Sequence, residues 1–250
     1  MIRRPPRSTL DRSSAASDVY KRQNLFRGLH SVDFLDLRKN MVESQIRTCK
    51  VSDKHIIQSF LKIPRELFAP PLKRDSCYMD REIKIARNRY LMEPMVFARL
   101  VQASKLSRKD SVLDIACGTG YSTAVLALLA NDVIGLERRS DLVEIAEKNL
   151  SDLSIDNAIT VKGSLRKGYQ AQAPYDVIFV EGSVDFVPKD LLDQLNIGGR
   201  LLTITNSNFK NFGQAVLYLR TKTSVSKRLL FEANIARLPS FEKKNTFKFF

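Results

Sequence analysis

Between residues 33 and 49, Phe34, Leu37, Met41 and Ile46 recur at helical spacing among charged neighbours, which predicts an amphipathic helix from Asp33 to Cys49. A second helix follows, with Ser52 as its cap, Ile56, Ile57, Phe60 and Leu61 as its buried stripe, and Pro64 as its stop. From Pro70 to Arg89 no period is sustained, so loops are expected, with a short strand near Tyr78 to Ile85. Pro94 suits the first turn of a helix over Met95 to Leu106, where Met95, Ala98, Leu100, Val101 and Leu106 supply the apolar side.

From Ser111 the pattern changes. Short apolar runs at 112–115, 133–136, 159–161, 176–180 and 200–205 alternate with helical segments at 122–129, 141–150 and 191–195. Strand and helix in repeated short units predict a parallel sheet with right-handed crossovers. The segments 215–220 and 229–236 alternate without an intervening helix, which predicts an antiparallel pair on the sheet edge. The expected class is therefore α/β, a mostly parallel sheet with helices on both faces and a helical attachment before it.

Composition excludes several functions. No apolar run approaches the roughly 20 residues needed to span a bilayer, and Cys49, Cys77 and Cys117 are far apart with no C-x-x-C pair, so no metal site is expected and a reducing cytoplasm fits. The net charge of +14 raises the question of nucleic acid. Residues 1–23, MIRRPPRSTLDRSSAASDVYKRQ, carry +4 of it and resemble translated sequencing-adapter sequence; the rival reading is a basic organelle presequence. The remaining cations are dispersed without interleaved aromatics, so a solvated surface is expected and nucleic acid is not. One domain over 24–250 accounts for the rest.

The candidate chemistry lies where the first strand of the alternating region turns into its helix, the usual ligand position of an open α/β sheet. Gly118 and Gly120 fall at that turn, and Glu137 ends the next strand, 17 residues after Gly120, where a carboxylate can accept ribose hydroxyls. A dinucleotide fingerprint needs three glycines, and neither Ala116 nor Thr123 is one; a Walker lysine is also lacking. The strand and loop 112–120, VLDIACGTG, is similar to the first motif of class I methyltransferases, Rossmann-like enzymes that use S-adenosylmethionine.

Further segments extend the likeness. Met41-Val42-x-Ser44-Gln45-Ile46, Ile63-Pro64-Arg65-Glu66-Leu67-Phe68-Ala69-Pro70, Tyr78-Met79-Asp80, Ala173-Pro174-Tyr175-Asp176 and Gln194-Leu195-x-x-Gly198-Gly199-Arg200-Leu201 occur in one order. Together with the loop they resemble the protein-L-isoaspartate O-methyltransferase family. The resemblance implies methyl transfer to the carboxylate beside an isoaspartyl linkage in damaged proteins. It also implies a cofactor site at Asp114, Ala116, Gly118, Gly120, Tyr121, Glu137, Ser164 and Leu165, with Glu181 at its mouth. Residues 33–106 would then form a helical substrate side and 107–250 the cofactor-binding core.

Two departures bear on the acceptor. Before its proline the family has glycine-glutamine-threonine-isoleucine-serine, where this chain reads Asn88-Arg89-Tyr90-Leu91-Met92. Arg87 and Arg89 either hold an anionic substrate or are solvated loop cations. The second departure is Gly163-Ser164-Leu165, where the family has glycine-aspartate-glycine and the aspartate receives the adenine amino group; Ser164 is a weaker acceptor. Glu181 replaces a small neutral residue and reads as a solvated strand-end acid or as a contact to substrate or sulfonium. His55 reads as structural rather than as a base. Two alternatives stay open: the same fold acting on another protein or a small molecule, and a non-catalytic cofactor-binding module.

Overall fold

The computed structural model describes residues 33–206 and 212–242. The adapter-like stretch 1–23 lies outside the described residues. Helix α1 (Phe34–Met41) continues through a wider π turn, Val42–Ile46, and a 3₁₀ turn, Arg47–Cys49, so the first predicted helix is one rod with an irregular end. Helix α2 (Lys54–Lys62) begins at Asp53, whose carboxylate accepts from the amides of His55 (2.8 Å) and Ile56 (3.3 Å). Ser52 is not the cap: its amide is held by Gln102 Oε1 at 2.7 Å, and the charged neighbour is the stronger acceptor.

The stretch without a period holds a small hairpin, β1 (Ile83–Ala86) and β2 (Arg89–Leu91), which leads into α3 (Pro94–Ser104). The sequence predicted the first strand and not the second. The seven-stranded sheet follows: β3 (Ser111–Ile115), β4 (Asp132–Glu137), β5 (Ala158–Lys162), β6 (Tyr175–Val184), β7 (Leu195–Asn206), β8 (Gly213–Arg220) and β9 (Val225–Glu232). Their order is β5-β4-β3-β6-β7-β8-β9, parallel through β7 and antiparallel beyond it. Helices α4 (Tyr121–Ala127), α5 (Ser140–Asp152) and α6 (Lys189–Asp193) occupy the crossovers.

Period-two alternation sorts the strands into two cores. Val112, Val133, Val177, Phe179 and Leu202 face α2, α3 and α4, while Leu113, Ile134, Ile178, Val180 and Leu201 face α6 and a turn at Pro239–Phe241. Two strands differ from expectation. β6 runs four residues past Val180, which carries Glu181 into the sheet. β9 both starts and ends earlier than the predicted 229–236; its first residues are exposed on the sheet edge and carry no apolar pattern to mark them.

The Pro-Arg-Glu-Leu-Phe run ties the helices to the hairpin. Arg65 is fully buried, donates from Nε to the Cys77 carbonyl (2.8 Å) and from Nη2 to that of Met92 (2.7 Å), and lies 4.7 Å from the Tyr121 ring centroid. Glu66 accepts from Arg38 at 3.0 Å and from the Tyr78 hydroxyl. These bonds fix both ends of 77–92, the segment that crosses the candidate site.

Candidate active site

The turn from β3 into α4 is wound in the left-handed region at Ala116 (φ +69°), Gly118 (φ +60°) and Gly120 (φ +92°). Asp114, wholly buried, accepts from Ser122 Oγ and Thr123 Oγ1, each at 2.7 Å, and so holds the start of α4 against β3. Burial pushes its carboxyl up to about 6, with the two hydroxyls and Arg89 opposing and Glu137 adding to the rise. Close packing as well as positive φ keeps Gly120 a glycine: a Cβ there would stand 3.1 Å from the Ala146 Cβ of α5.

Glu137 ends β4, as its sequence position predicts, but its carboxylate is already engaged. Oε1 accepts from the amides of Arg138 (2.8 Å) and Arg139 (3.3 Å), and Oε2 from the amide of Gly118 (3.1 Å). Oε2 also accepts from Arg89, at 3.1 Å from Nε and 2.6 Å from Nη2. The same Nη2 donates to the Ala116 carbonyl. Arg89 is buried, its side chain 7% exposed. One of the two sequence readings of Arg89 fails. It is not a solvated loop cation, and it is turned toward the cofactor turn. Arg87 remains exposed.

Two cavities meet at Arg89. One, of about 300 Å³, is lined by Arg87, Arg89, Glu137, Arg139, Leu165 and Leu238 among others. On the other side is a small space bordered by Arg89, Tyr90, Met92 and Glu181, beside a chamber of about 10 Å³ bordered by Tyr90, Met92, Ala116, Tyr121 and Glu181. Ser164 is exposed and borders, with Leu165, an open cleft of about 670 Å³ that shares Arg138 and Ser240 with the first cavity. The predicted residues thus gather in one region. Asp114 and Gly120 support it from behind, and His55, exposed on α2, borders none of these cavities.

Glu181 is the main correction. It is 8% exposed within β6, not a solvated acid at a strand end. Burial raises its pKa well above the ordinary range, and Asp114 raises it further, against Arg89 and Arg65. Its Oε1, Asp114 Oδ1 and the Tyr121 hydroxyl have no hydrogen-bond partner among the described residues. Three acid groups, Asp114, Glu137 and Glu181, therefore lie within electrostatic reach of Arg89, which pairs directly with Glu137. Such a set suits a ligand that carries positive charge and donates to oxygen. A sulfonium with an ammonium and a ribose diol fits that description, provided Arg89 yields its place on Glu137.

Sequence reasoning missed Arg65 and the turn at Leu238–Ser240. Arg65 carried a signal, as the one cation in the family run 63–70; the turn carried none. Among the described residues there is no cluster of side chains able to hold a metal, and no helix is long and apolar enough to cross a membrane.

A profile of the Protein-L-isoaspartate(D-aspartate) O-methyltransferase family matches residues 36–229. The chain is 36% identical over 165 residues to a Protein-L-isoaspartate O-methyltransferase of Methanoculleus marisnigri, covering 66% of this chain and 75% of that one. To its namesake from a Synechococcus species it is 36% identical over 169 residues, covering 68% and 69%. A solved protein-L-isoaspartate O-methyltransferase superposes with a TM-score of 0.70 at 30% identity, covering 80% of this chain and 65% of that one. A beta-aspartate methyltransferase from Plasmodium falciparum, solved in complex with S-adenosyl-L-homocysteine, shares the fold with a TM-score of 0.68 at 21% identity, covering 82% and 98%. The fold is that of a Rossmann-like class I methyltransferase, and the family's methyl donor is S-adenosylmethionine. The left-handed turn, the strand-end carboxylate and a match that runs through both place this chain in the protein-L-isoaspartate O-methyltransferase family.

Proposed function

We propose that this chain methylates the carboxylate of isoaspartyl residues in damaged proteins, with S-adenosylmethionine as the donor. The observation that carries the reading is Glu137 at the end of β4 beside the left-handed turn 116–120, inside a match that spans residues 36–229. Bound there, S-adenosylmethionine supplies a methyl group already activated on sulfur. A carboxylate is a nucleophile at neutral pH, so the chain's task is alignment and exclusion of water, and no general base is required.

In this reading Glu137 takes the ribose hydroxyls, Ser164 and Leu165 border the adenine, and Ala116 and Gly118 bring backbone close to the donor. Asp114 keeps the turn in place through Ser122 and Thr123. Tyr121 and Glu181 flank the positive end. Tyr90 and Met92, standing where the family has two hydroxyl residues, shape the acceptor side, and Arg87 at the rim meets anionic substrate. Residues 33–106 form the substrate side. A reducing cytoplasm suits its three free cysteines, two of them buried.

The test pairs an isoaspartyl peptide with its aspartyl isomer in the presence of labelled donor. Base-labile methyl ester on the first alone is expected; none on either at high enzyme concentration rejects the substrate. Buried Glu181, with Tyr90 and Met92 where the family has two hydroxyl residues, favours a second reading, another protein or a small molecule as acceptor. A gain of isoaspartyl activity in the Y90T/M92S double variant would support that second reading, because it would show the native segment shaped for a different acceptor.

A further inference from the structure

The family's glutamine is replaced here by Arg89 and its small residue in β6 by Glu181. The structure relates these two departures. Arg89 holds the oxygen of Glu137 that faces the turn, and its Nη2 also takes the carbonyl of Ala116. Ribose hydroxyls and a donor ammonium would need those same acceptors, and Arg89 lines both the 300 Å³ cavity and the small space beside Glu181. Glu181, 8% exposed, has an oxygen without a partner and borders the same small space as Arg89.

We propose that Arg89 is a two-position residue: it occupies the donor's place on Glu137 and passes to Glu181 when the donor's ribose takes Glu137. This rests on the S-adenosylmethionine reading above. Charge accounts for both substitutions together. A buried cation pushed off Glu137 with no second acceptor would be left unpaired, which is far costlier than an exchange of partners. Glu181 supplies that second acceptor, and Arg89 in turn gives the Glu181 carboxylate the partner it lacks. The hairpin is built to allow the motion, since Arg89 follows a left-handed residue, Asn88 (φ +56°), at a register shift between β1 and β2.

Arg89 thus sets donor affinity: the site opens only in the fraction of molecules whose guanidinium has moved, and apparent affinity falls by that fraction. Glu181 favours the open form and so favours binding. The two residues are coupled through one guanidinium, and a change at either alters the effect of the other.

The experiment is calorimetric titration of S-adenosylhomocysteine into the full chain and its R89Q, E181Q and R89Q/E181Q variants. R89Q is expected to bind about tenfold or more tightly, because its side chain no longer competes for Glu137. E181Q is expected to bind more weakly than wild type, and the E181Q change is expected to have little effect once R89Q is present. Should R89Q fail to give a cooperative melt, R89K replaces it. A lysine keeps one point contact to Glu137 and gives up the bond to Ala116, so intermediate tightening is expected. Affinities that do not rise in R89Q or R89K, or additive effects of the two changes, overturn the proposal and leave the cofactor reading intact. Absence of binding by wild type and R89Q alike at millimolar ligand overturns both.

Discussion

Arg89 on β2 and Glu137 at the end of β4 form a buried ion pair, 2.6 Å from Nη2 to Oε2, with side chains 7% and 0% exposed. The two partners are unequally supported. Glu137 also receives the amides of Gly118, Arg138 and Arg139, whereas Arg89 has only the Ala116 carbonyl besides. Removing the carboxylate takes the acceptor from three amides and forces the guanidinium to find another; removing the guanidinium leaves a carboxylate still held by those three amides. E137A is therefore expected to lose about 3–5 kcal/mol of stability, and R89Q clearly less. Urea denaturation of both variants checks this, and equal losses would contradict the stated asymmetry.

Ala116 holds φ +69° without being glycine. Left-handed backbone costs a residue with a Cβ about 1–2 kcal/mol. A116G is expected to stabilise the fold by about 0.5–1 kcal/mol, because relief of strain outweighs the greater freedom of glycine in the unfolded chain. The usual sign for alanine to glycine is the reverse. A lower melting temperature in A116G would show that the turn is not strained.

Arg65 joins three parts of the protein from a fully buried position: the carbonyls of Cys77 and Met92 and the ring of Tyr121. R65M keeps much of the volume and loses both charge-assisted bonds, at a cost of about 3 kcal/mol or more. Hydrogen exchange is expected to accelerate through 77–92 more than in β3 or β4. Uniform acceleration would mean that Arg65 supports the whole fold rather than this segment.

Glu82 is largely buried and accepts from the Ala236 amide at 3.0 Å, and burial pushes its carboxyl up to about 7. Its folded-state pKa is thus above its unfolded value. The folded chain binds the extra proton between the ordinary glutamate range and about 7, and the cost of the buried charge is complete only above that window. Raising the pH through the window therefore destabilises the fold through this group. E82Q carries no such cost, so its melting temperature relative to wild type is expected to rise from pH 5 to pH 8. A difference that stays constant with pH would contradict the assignment.

Much of the fold was legible because its signals are local. The 112–115, 133–136 and 159–161 runs are short and apolar, and each appears as a strand of the predicted parallel sheet. The hairpin strand Arg89–Leu91 was not legible, since three residues give no period and the segment is held at Met92 by Arg65 from a distant part of the chain. Glu137 was found from its spacing to Gly120, whereas the burial of Arg89 and Glu181 was not. A charged residue in a polar stretch or at an apparent strand end reads as solvated, and only the packing of β2 against the turn and the extension of β6 reveal otherwise. The turn at Leu238–Ser240 borders the site through tertiary folding alone and left no mark in the pattern.

Methyl transfer to an isoaspartyl carboxylate is tested most directly in a single turnover, with enzyme in excess over an isoaspartyl peptide and labelled S-adenosylmethionine present. Excess enzyme removes any dependence on product release. One base-labile methyl ester per peptide, and none on the aspartyl isomer, is the result predicted; an unmodified isoaspartyl peptide, with donor binding verified in the same preparation, would contradict it.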